Sequence, residues 1–312
     1  MTIAWLFPGQ GTQQVGMGRQ LFESSPAARE IWQRADSALG FSLKQLCFEG
    51  PETELTLTKF AQPAIVTASI AVLAAIREAL PSLAPPACAA GHSLGEYSAL
   101  VATNALDLED ALRLVHLRGQ AMQEAVPEGL GGMAAIMGGD AAAVEALCRD
   151  AAEGEVVSPA NFNAPGQIVI SGHKTAVARA SALAAERKLK AIVLNVSAPF
   201  HCSLMAPAAE RMKDALATTR VGALSFPVLA NVLGTPNSDA ARVPALLVEQ
   251  VDSPVRWEQT VMAMAESGVT RALEIGPGKV LAGLVKRIDK RISVLSVGDS
   301  EAVAKVPEFL AG

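Results

Sequence analysis

The sequence is poor in the residues that build metal sites and disulfide frameworks, and it has no excess of positive charge. Four cysteines occur in 312 residues, far apart and without a C-x-x-C pair, so neither a zinc site nor a structural disulfide is expected. Cysteines used in this way are typical of a reducing cytoplasm. The formal net charge of −5 argues against a nucleic-acid-binding protein, which usually carries a basic face.

No leader segment is expected at the start of this sequence, and its apolar runs are short. The first residues, MTIAWLFPGQGTQQ, have no basic stretch before an apolar run that stops at Pro8, so they are unlike a signal peptide. The longest apolar stretch, 63–76, is too short to cross a bilayer and predicts a buried helix instead. No membrane association is expected. Half of the residues are hydrophobic, which suits a chain with a sizeable core.

Short apolar strands alternate with longer helical patterns in the first and last thirds of the chain. This alternation predicts an α/β core with a parallel sheet. Strands are predicted at 3–7, 87–90, 228–231 and 272–275, and helices at about 17–39, 62–80, 94–103, 107–125, 244–251 and 257–267.

The middle of the chain follows another pattern. Strands are predicted at 132–137, 156–161, 167–171 and 191–196, with helices at 141–152 and 174–188. The order β-α-β-β-α-β is that of a ferredoxin-like unit. We therefore predict a ferredoxin-like subdomain at 127–197, inserted into an α/β-hydrolase-like catalytic domain formed by 1–126 and 198–312.

The segment GHSLG at 91–95 fits G-x-S-x-G, in which a sharp strand-to-helix turn exposes a serine. Ser93 would need a base, usually histidine. His201 is the best candidate, because it follows Pro199-Phe200 where the chain re-enters the main domain, and domain junctions often form clefts. The other histidines have other predicted positions: beside the nucleophile and pointing away (His92), inside a helix (His116) and at the start of a helix (His173).

Two features differ from a serine hydrolase. The order Ser…Asp/Glu…His requires an acid between Ser93 and His201, and the candidates lie in the insertion or in helices (Asp140, Asp150 and Glu155). A backbone or amide oxygen is therefore expected to orient His201. Arg118 lies in an apolar helical stretch, where burial is costly unless the guanidinium meets an anion such as a carboxylate. The alternative is an arginine that faces solvent.

Seven segments, in order, resemble the malonyl-CoA:acyl carrier protein transacylase family. They are FPGQGTQQVGMG (7–18), GHSLGEYSAL (91–100), LRGQAM (117–122), NFNAPGQIVISG (161–172), SAPFHCSLM (197–205), QVDSPVRW (250–257) and EIGPGKVLAGLVKR (274–287). G-x-S-x-G alone would not separate a transferase from a hydrolase, whereas the ordered set is far more specific.

The resemblance implies a two-step, ping-pong exchange without a cofactor or metal. Ser93 would attack malonyl-CoA with His201 as base, and a main-chain carbonyl of Gln250 would orient the histidine. The backbone N–H groups of Gln10 and Leu94 would stabilise the oxyanion. The phosphopantetheine thiol of acyl carrier protein would then accept the malonyl group.

The resemblance also assigns substrate contacts. Arg118 would pair with the malonyl carboxylate, so acetyl groups would be rejected. Phe200 would narrow the space beside the α-carbon and favour malonyl over methylmalonyl, unless it is plain core packing. Further residues are assigned to the cleft (His92, Asn161 and Asn163); the alternative for the asparagines is turn formation around 165–166.

An acidic enzyme needs local positive charge to bind an acidic carrier protein. The predicted docking residues are Arg187, Lys188, Lys190, Lys286 and Arg287, whose alternative is a solvated helix surface. The predicted role is malonyl transfer for fatty-acid synthesis by a cytoplasmic monomer. The alternatives are a free-standing malonyl acyltransferase of a polyketide pathway, a serine hydrolase, or a non-catalytic docking subunit.

Overall fold

The computed structural model describes residues 2–311, which contain two separate β-sheets. The strands of the larger sheet are β1 (Ile3–Phe7), β2 (Cys88–Gly91), β7 (Val228–Ala230), β8 (Thr235–Asn237), β9 (Arg271–Ile275) and β10 (Ser293–Val297). Their order is β10-β9-β1-β2-β7-β8, and adjacent strands are parallel except for β7 and β8, which are antiparallel. The predicted parallel sheet is confirmed, whereas the edge strands β8 and β10 were not predicted.

The smaller sheet and its two helices are formed by β3 (Gly131–Met137), α8 (Ala141–Ala152), β4 (Val157–Ala164), β5 (Gln167–His173), α9 (Lys174–Glu186) and β6 (Lys190–Val193). The sheet is antiparallel, with the strand order β4-β5-β3-β6. Alternate residues such as Ala134 and Ile136 pack with Val144 and Val177 of the two helices in a core of their own. The element order is the predicted ferredoxin-like one.

Helices cover both faces of the larger sheet. They are α1 (Arg19–Ser24), α2 (Pro26–Leu39), α3 (Leu43–Glu49), α4 (Glu52–Leu55), α5 (Thr58–Ala79), α6 (Gly95–Ala102), α7 (Leu108–Glu124), α10 (Ala206–Ala217), α11 (Val243–Asp252), α12 (Trp257–Glu266), α13 (Val280–Ile288) and α14 (Ser300–Ala311), with 3₁₀ turns at Ser203–Met205 and Ala240–Arg242. Trp5 and Phe7 point into the core around α2, α5 and α7, whereas Ala4 and Leu6 pack towards α12 and α13. This alternation gives the three layers of an α/β fold.

The helix predicted at 17–39 is two helices. Ser25 adopts an extended conformation, its hydroxyl accepts the backbone N–H of Ala28, and Pro26 opens α2. A serine cap followed by proline is a strong helix start, so the chain begins a second helix here. The short helices α3 and α4 were not predicted.

The apolar stretch at 63–76 belongs to the longer helix α5. By length and composition Thr58–Ala79 could cross a membrane, but 83% of its most apolar window is buried inside the protein. The prediction of a buried helix is confirmed. The helix is longer than the apolar stretch from which it was predicted, so its length does not exclude a membrane span, whereas its burial explains its apolar composition. Pro63 has no N–H for the carbonyl of Lys59; His116 Nδ1 lies 2.7 Å from that oxygen and replaces the missing donor.

Candidate active site

Ser93 lies on the turn between β2 and α6 with φ 52, in the left-handed region. The turn needs the glycines on both sides of it. A Cβ on Gly91 would lie 1.9 Å from the backbone of Gly95, and one on Gly95 would lie 2.3 Å from the carbonyl oxygen of Phe7. The strained turn therefore presents the serine hydroxyl at the carboxyl end of the central strands.

Asn231, directly after β7, clamps this turn. Its Oδ1 accepts the backbone N–H of Ser93 at 2.7 Å, and its Nδ2 donates to the carbonyl of Gly91 at 2.7 Å. Asn231 is fully buried. Its role was not predicted, because an asparagine after a short strand carries no local signal of a contact 138 residues away.

His201 is the base nearest to the serine. Its Nε2 lies 2.8 Å from Ser93 Oγ, and its Nδ1 lies 2.9 Å from the main-chain oxygen of Gln250. A carbonyl only accepts, so Nδ1 carries the proton and Nε2 is free to receive one. Burial, with Arg118 nearby, lowers the pKa of His201 to about 3. The imidazole is therefore neutral at physiological pH.

The three acids considered as partners of His201 are engaged elsewhere. Asp140 caps α8 through the N–H of Ala143, Asp150 pairs with Arg187, and Glu155 accepts from Thr175 and Arg179. The oxygen that the structure places on His201 is a backbone carbonyl, as expected when no acid could be found.

Arg118 is buried beside Ser93 and does not face solvent, being only 1% exposed. Its Nη2 donates to Ser93 Oγ at 3.1 Å and to Gln250 Oε1 at 2.8 Å, and its Nη1 donates to Gln62 Oε1 at 2.9 Å. Burial lowers the pKa of this guanidinium. All three partners are neutral, so the site holds a cation without a directly bonded anion, which favours the binding of one.

Glu96 and the side chain of Gln250 complete the buried network, and neither contact was predicted. Gln250 Nε2 donates to Ser93 O at 3.0 Å and to Glu96 Oε2 at 2.7 Å. The same carboxylate oxygen accepts the backbone N–H of Asn231 at 3.1 Å. Burial raises the pKa of Glu96 to about 7. A charged residue in the apolar segment GEYSALVA was the signal that could have revealed it.

The two predicted oxyanion donors lie on adjoining loops. A Cβ on Gly9 would be 2.7 Å from the carbonyl oxygen of His92, so the loop that holds Gln10 packs directly on the serine turn. Within residues 2–311, the backbone N–H groups of Gln10 and Leu94 have no hydrogen-bond acceptor. Both are thus free to bind an oxygen.

The two asparagines of β4 connect the small sheet to the larger domain, Asn163 through His92 beside Ser93 and Asn161 through Val255. His92 Nε2 is 2.9 Å from Asn163 Oδ1, and its ring packs on Trp257 with centroids 5.6 Å apart. Asn161 is buried and bridges to Val255. Both asparagines belong to β4 and precede the turn at 165–166, so they do not form that turn.

Phe200 is 8% exposed and packs in the main core cluster. His201, the next residue, lines a cavity of about 490 Å³ between β4 and the segment at 252–256, with Arg256 among its walls. Phe200 therefore lies where the core meets the cavity lined by His201.

The known proteins that this chain resembles are acyltransferases, in agreement with the geometry of the site. Residues 4–305 match the family described as acyl transferase domain. A malonyl CoA-acyl carrier protein transacylase of Bacillus subtilis is 48% identical over 96% of this chain and 95% of its own length. The Escherichia coli K12 protein of that name is 46% identical over 98% and 99%. The chain belongs to the malonyl CoA-acyl carrier protein transacylase family.

Solved structures of this transacylase family have the same fold. The Coxiella burnetii transacylase superimposes with a TM-score of 0.97 and 42% identity, over 100% of this chain and 98% of that one. A malonyl-transacylase in complex with a type II PKS acyl-carrier protein gives a TM-score of 0.95 and 43% identity, with 99% of each chain covered. Recognition of the family from the sequence is confirmed.

The five basic residues predicted for docking in this transacylase, here called the basic band, are exposed and lie on β6, the turn before it and α13. Lys190 pairs with Met137 in the small sheet, the next residue, Gly138, donates to the carbonyl of Gly166 at 2.9 Å, and Arg287 donates to Gln167 beside it at 3.1 Å. The other members are also exposed (Arg187, Lys188 and Lys286), although Arg187 is paired with Asp150.

Proposed function

We propose that this chain transfers the malonyl group of malonyl-CoA to the phosphopantetheine thiol of an acyl carrier protein through a malonyl ester on Ser93. One observation carries the proposal. The Ser93 hydroxyl lies within hydrogen-bond distance of both a neutral base, His201, and a buried cation, Arg118. A nucleophile beside a guanidinium suits an acyl group that ends in a carboxylate.

In the first half-reaction, Ser93 Oγ attacks the thioester carbonyl while His201 Nε2 takes its proton. The backbone N–H groups of Gln10 and Leu94 stabilise the negative oxygen of the tetrahedral intermediate. The C–S bond then breaks, and the CoA sulfur leaves with the proton from His201. The carbonyl oxygen of Gln250 stabilises the charged imidazolium through Nδ1–H.

In the second half-reaction, the carrier thiol gives its proton to His201, and the sulfur attacks the ester on Ser93. The C–O bond breaks and Ser93 recovers the proton. Since one acyl group leaves before the next acceptor binds, the kinetics are ping-pong. The residues supply every proton transfer, so the mechanism requires neither metal nor cofactor.

Arg118 selects the acyl group in this mechanism. Its Nη2 exchanges the contact with Ser93 Oγ for one with the malonyl carboxylate, which acetyl-CoA cannot offer, and keeps the contact with Gln250 Oε1. Phe200 narrows the site and favours malonyl over methylmalonyl by about 1–3 kcal/mol, the usual value for one methyl group. His92, Asn161 and Asn163 form the wall of the cleft towards the small sheet.

The carrier protein docks on the exposed basic band in this proposal, and charge complementarity supports it. One solved relative is in complex with a type II PKS acyl-carrier protein, which keeps a polyketide carrier as a specific alternative to a fatty-acid carrier. We further propose that residues 127–197 form the inserted subdomain and that the enzyme is a cytoplasmic monomer.

A two-acceptor transfer assay tests the proposal. Wild-type enzyme is incubated with malonyl-CoA and either a fatty-acid or a polyketide carrier protein in the holo form, and the malonyl-carrier is measured by mass spectrometry. Rapid transfer to one holo carrier, with none to its apo form, is expected. Release of free malonate without malonyl-carrier would favour a hydrolase, and neither product would favour a non-catalytic subunit.

A further inference from the structure

Glu96 is a buried carboxylate that the proposed mechanism does not use. It lies in the first turn of α6 and is 3% exposed. The other fully buried glutamate, Glu274, caps the start of α13 through the N–H groups of Leu281 and Ala282. The donors to Glu96 are Gln250 and Asn231, which both contact Ser93.

Glu96 determines which way the Gln250 amide faces. A side-chain amide can be turned over by its partners, and an ionised carboxylate only accepts hydrogen bonds. Gln250 must therefore present Nε2 to Glu96, which leaves Oε1 for Arg118 at 2.8 Å. The carbonyl of the same glutamine orients His201. One residue thus connects Glu96 to both the cation and the base.

The charges point to the same role. Arg118, on α7, is the charged group that faces Glu96 across Gln250, and each favours the ionised form of the other. Tyr97 stays neutral, because burial raises its pKa. Burial still outweighs these contacts and raises the pKa of Glu96 to about 7. An ionised carboxylate that costs stability is expected where it serves the site rather than the fold.

We propose that Glu96 is a positioning residue for malonyl loading: through Gln250 it holds Arg118 and His201 in the reactive arrangement around Ser93, and it balances the guanidinium until the malonyl carboxylate binds. The inference rests on the malonyl transfer proposed above. Glu96 touches no reacting atom and acts through another side chain.

The test compares Glu96→Gln with Glu274→Gln, a matched loss of charge at a buried glutamate away from Ser93. Loading of malonyl on the enzyme is followed by stopped-flow or quenched mass spectrometry from pH 6 to 8. Glu96→Gln should lower kcat about tenfold or more at pH 8 without raising KM for malonyl-CoA, because a neutral amide can accept or donate and no longer fixes Gln250.

The pH profile separates positioning from a general structural role. The wild-type kcat/KM should fall as pH is lowered through about 7, because Glu96 becomes protonated, while His201 with a pKa of about 3 does not titrate there. Glu96→Gln should be flat over this window once the titration of malonyl-CoA, common to all the enzymes, is subtracted. Glu274→Gln should keep the wild-type shape.

Stability provides a second readout of opposite direction. The pKa of Glu96 is raised from 4.5 to about 7 in the folded protein. Its contribution to the stability of the folded state is therefore complete below pH 4.5 and is lost as the pH rises through about 7. The Tm of Glu96→Gln minus that of the wild type should therefore become more positive from pH 5 to 8.

Either of two results would overturn this inference and leave the proposed function intact. In the first, Glu96→Gln loads malonyl as fast as an active wild-type enzyme. In the second, Glu96→Gln is slower, but its rate still falls as the pH drops below 7. A wild-type enzyme that forms no malonyl-serine would overturn the proposed function, and this inference with it.

Discussion

At the residue scale, a single serine hydroxyl meets two groups with different functions. His201 Nε2 lies 2.8 Å away and can take the proton, whereas Arg118 Nη2 lies 3.1 Å away and offers positive charge. A base alone is enough for a hydrolase or a transferase. The buried cation is what distinguishes this site, because in the proposed mechanism it requires a carboxylate on the acyl group.

Arg118→Ala should separate the two acyl substrates. Loss of a buried, charged partner costs on the order of 3 kcal/mol, or roughly 100-fold in rate. We expect kcat/KM for malonyl-CoA to fall by that factor and the rate with acetyl-CoA to stay or rise. The control is Arg77→Ala, which removes an exposed arginine stacked on Trp5. An equal loss for both substrates would refute the carboxylate contact.

His201 should make the folded protein sensitive to acid. Its pKa in the folded protein is lowered from 6.5 to about 3. Its contribution to the stability of the folded state is therefore present above pH 6.5 and is lost as the pH falls through about 3. His201→Gln should remove up to about 5 kcal/mol of this pH-dependence between pH 6.5 and 3, measured by denaturant unfolding. Ser93→Ala keeps the imidazole and should retain the wild-type slope; equal slopes in all three proteins would contradict the prediction.

Ser93, His201 and Arg118 stood out because each is chemically unusual where it lies, but the choice of His201 and Arg118 over their alternatives rested on the family resemblance. Ser93 follows a turn pattern, His201 follows a domain junction, and Arg118 interrupts an apolar helix. Gln62 and Asn231 could not be found in this way, because an amide acquires its role from partners distant in sequence. The roles assigned to the site residues stay predictions until they are measured.

At the element scale, the periodicity of hydrophobic residues was enough to predict a helix or strand that is long or has one buried face. The strand and helix order of the small sheet follows from alternation and helical spacing alone. It was not enough between 43 and 55, where two short helices depend on burying Leu43, Leu46 and Leu55 in the core. The edge strands β8 and β10 show the same limit, since their pairing depends on neighbours supplied by distant segments.

The contact between α5 and α7 positions Arg118 and can be tested at Gly119. A Cβ there would lie 2.6 Å from the carbonyl oxygen of Thr58, so Gly119→Ala must push the helices apart. We expect a loss of about 1–3 kcal/mol in unfolding free energy and weaker discrimination of malonyl from acetyl.

The control is Gly283→Ala in α13, where an added Cβ meets nothing within 4 Å. This change should stabilise the protein by up to about 1 kcal/mol, because alanine is the better helix former. If both variants behaved alike, the close helix contact would not be what places Arg118.

At the scale of the whole molecule, net charge and local charge have opposite signs. The chain carries a formal charge of −5, yet Lys190 begins β6 of the small sheet and Arg287, on α13, contacts Gln167 of the same sheet. An acidic carrier protein would be repelled by the rest of the surface and attracted here.

Reversing two charges of this band should weaken the carrier step alone. Lys190→Glu with Arg287→Glu should raise KM for the carrier roughly tenfold at low salt, with a smaller effect at high salt. The rate of malonyl-serine formation from malonyl-CoA should not change. Lys305→Glu on α14 is the control; an equal effect from that exposed lysine would show that net charge, not the basic band, governs carrier binding.

The most direct measurement of the central claim is the intact mass of the enzyme after brief mixing with malonyl-CoA, followed by addition of holo carrier protein or buffer. We predict a gain of one malonyl group on Ser93, absent in Ser93→Ala, that persists in buffer and disappears on addition of the carrier as malonyl-carrier forms. A malonyl-enzyme that never accumulates while free malonate appears, or one that holo carrier protein cannot discharge, would contradict the account.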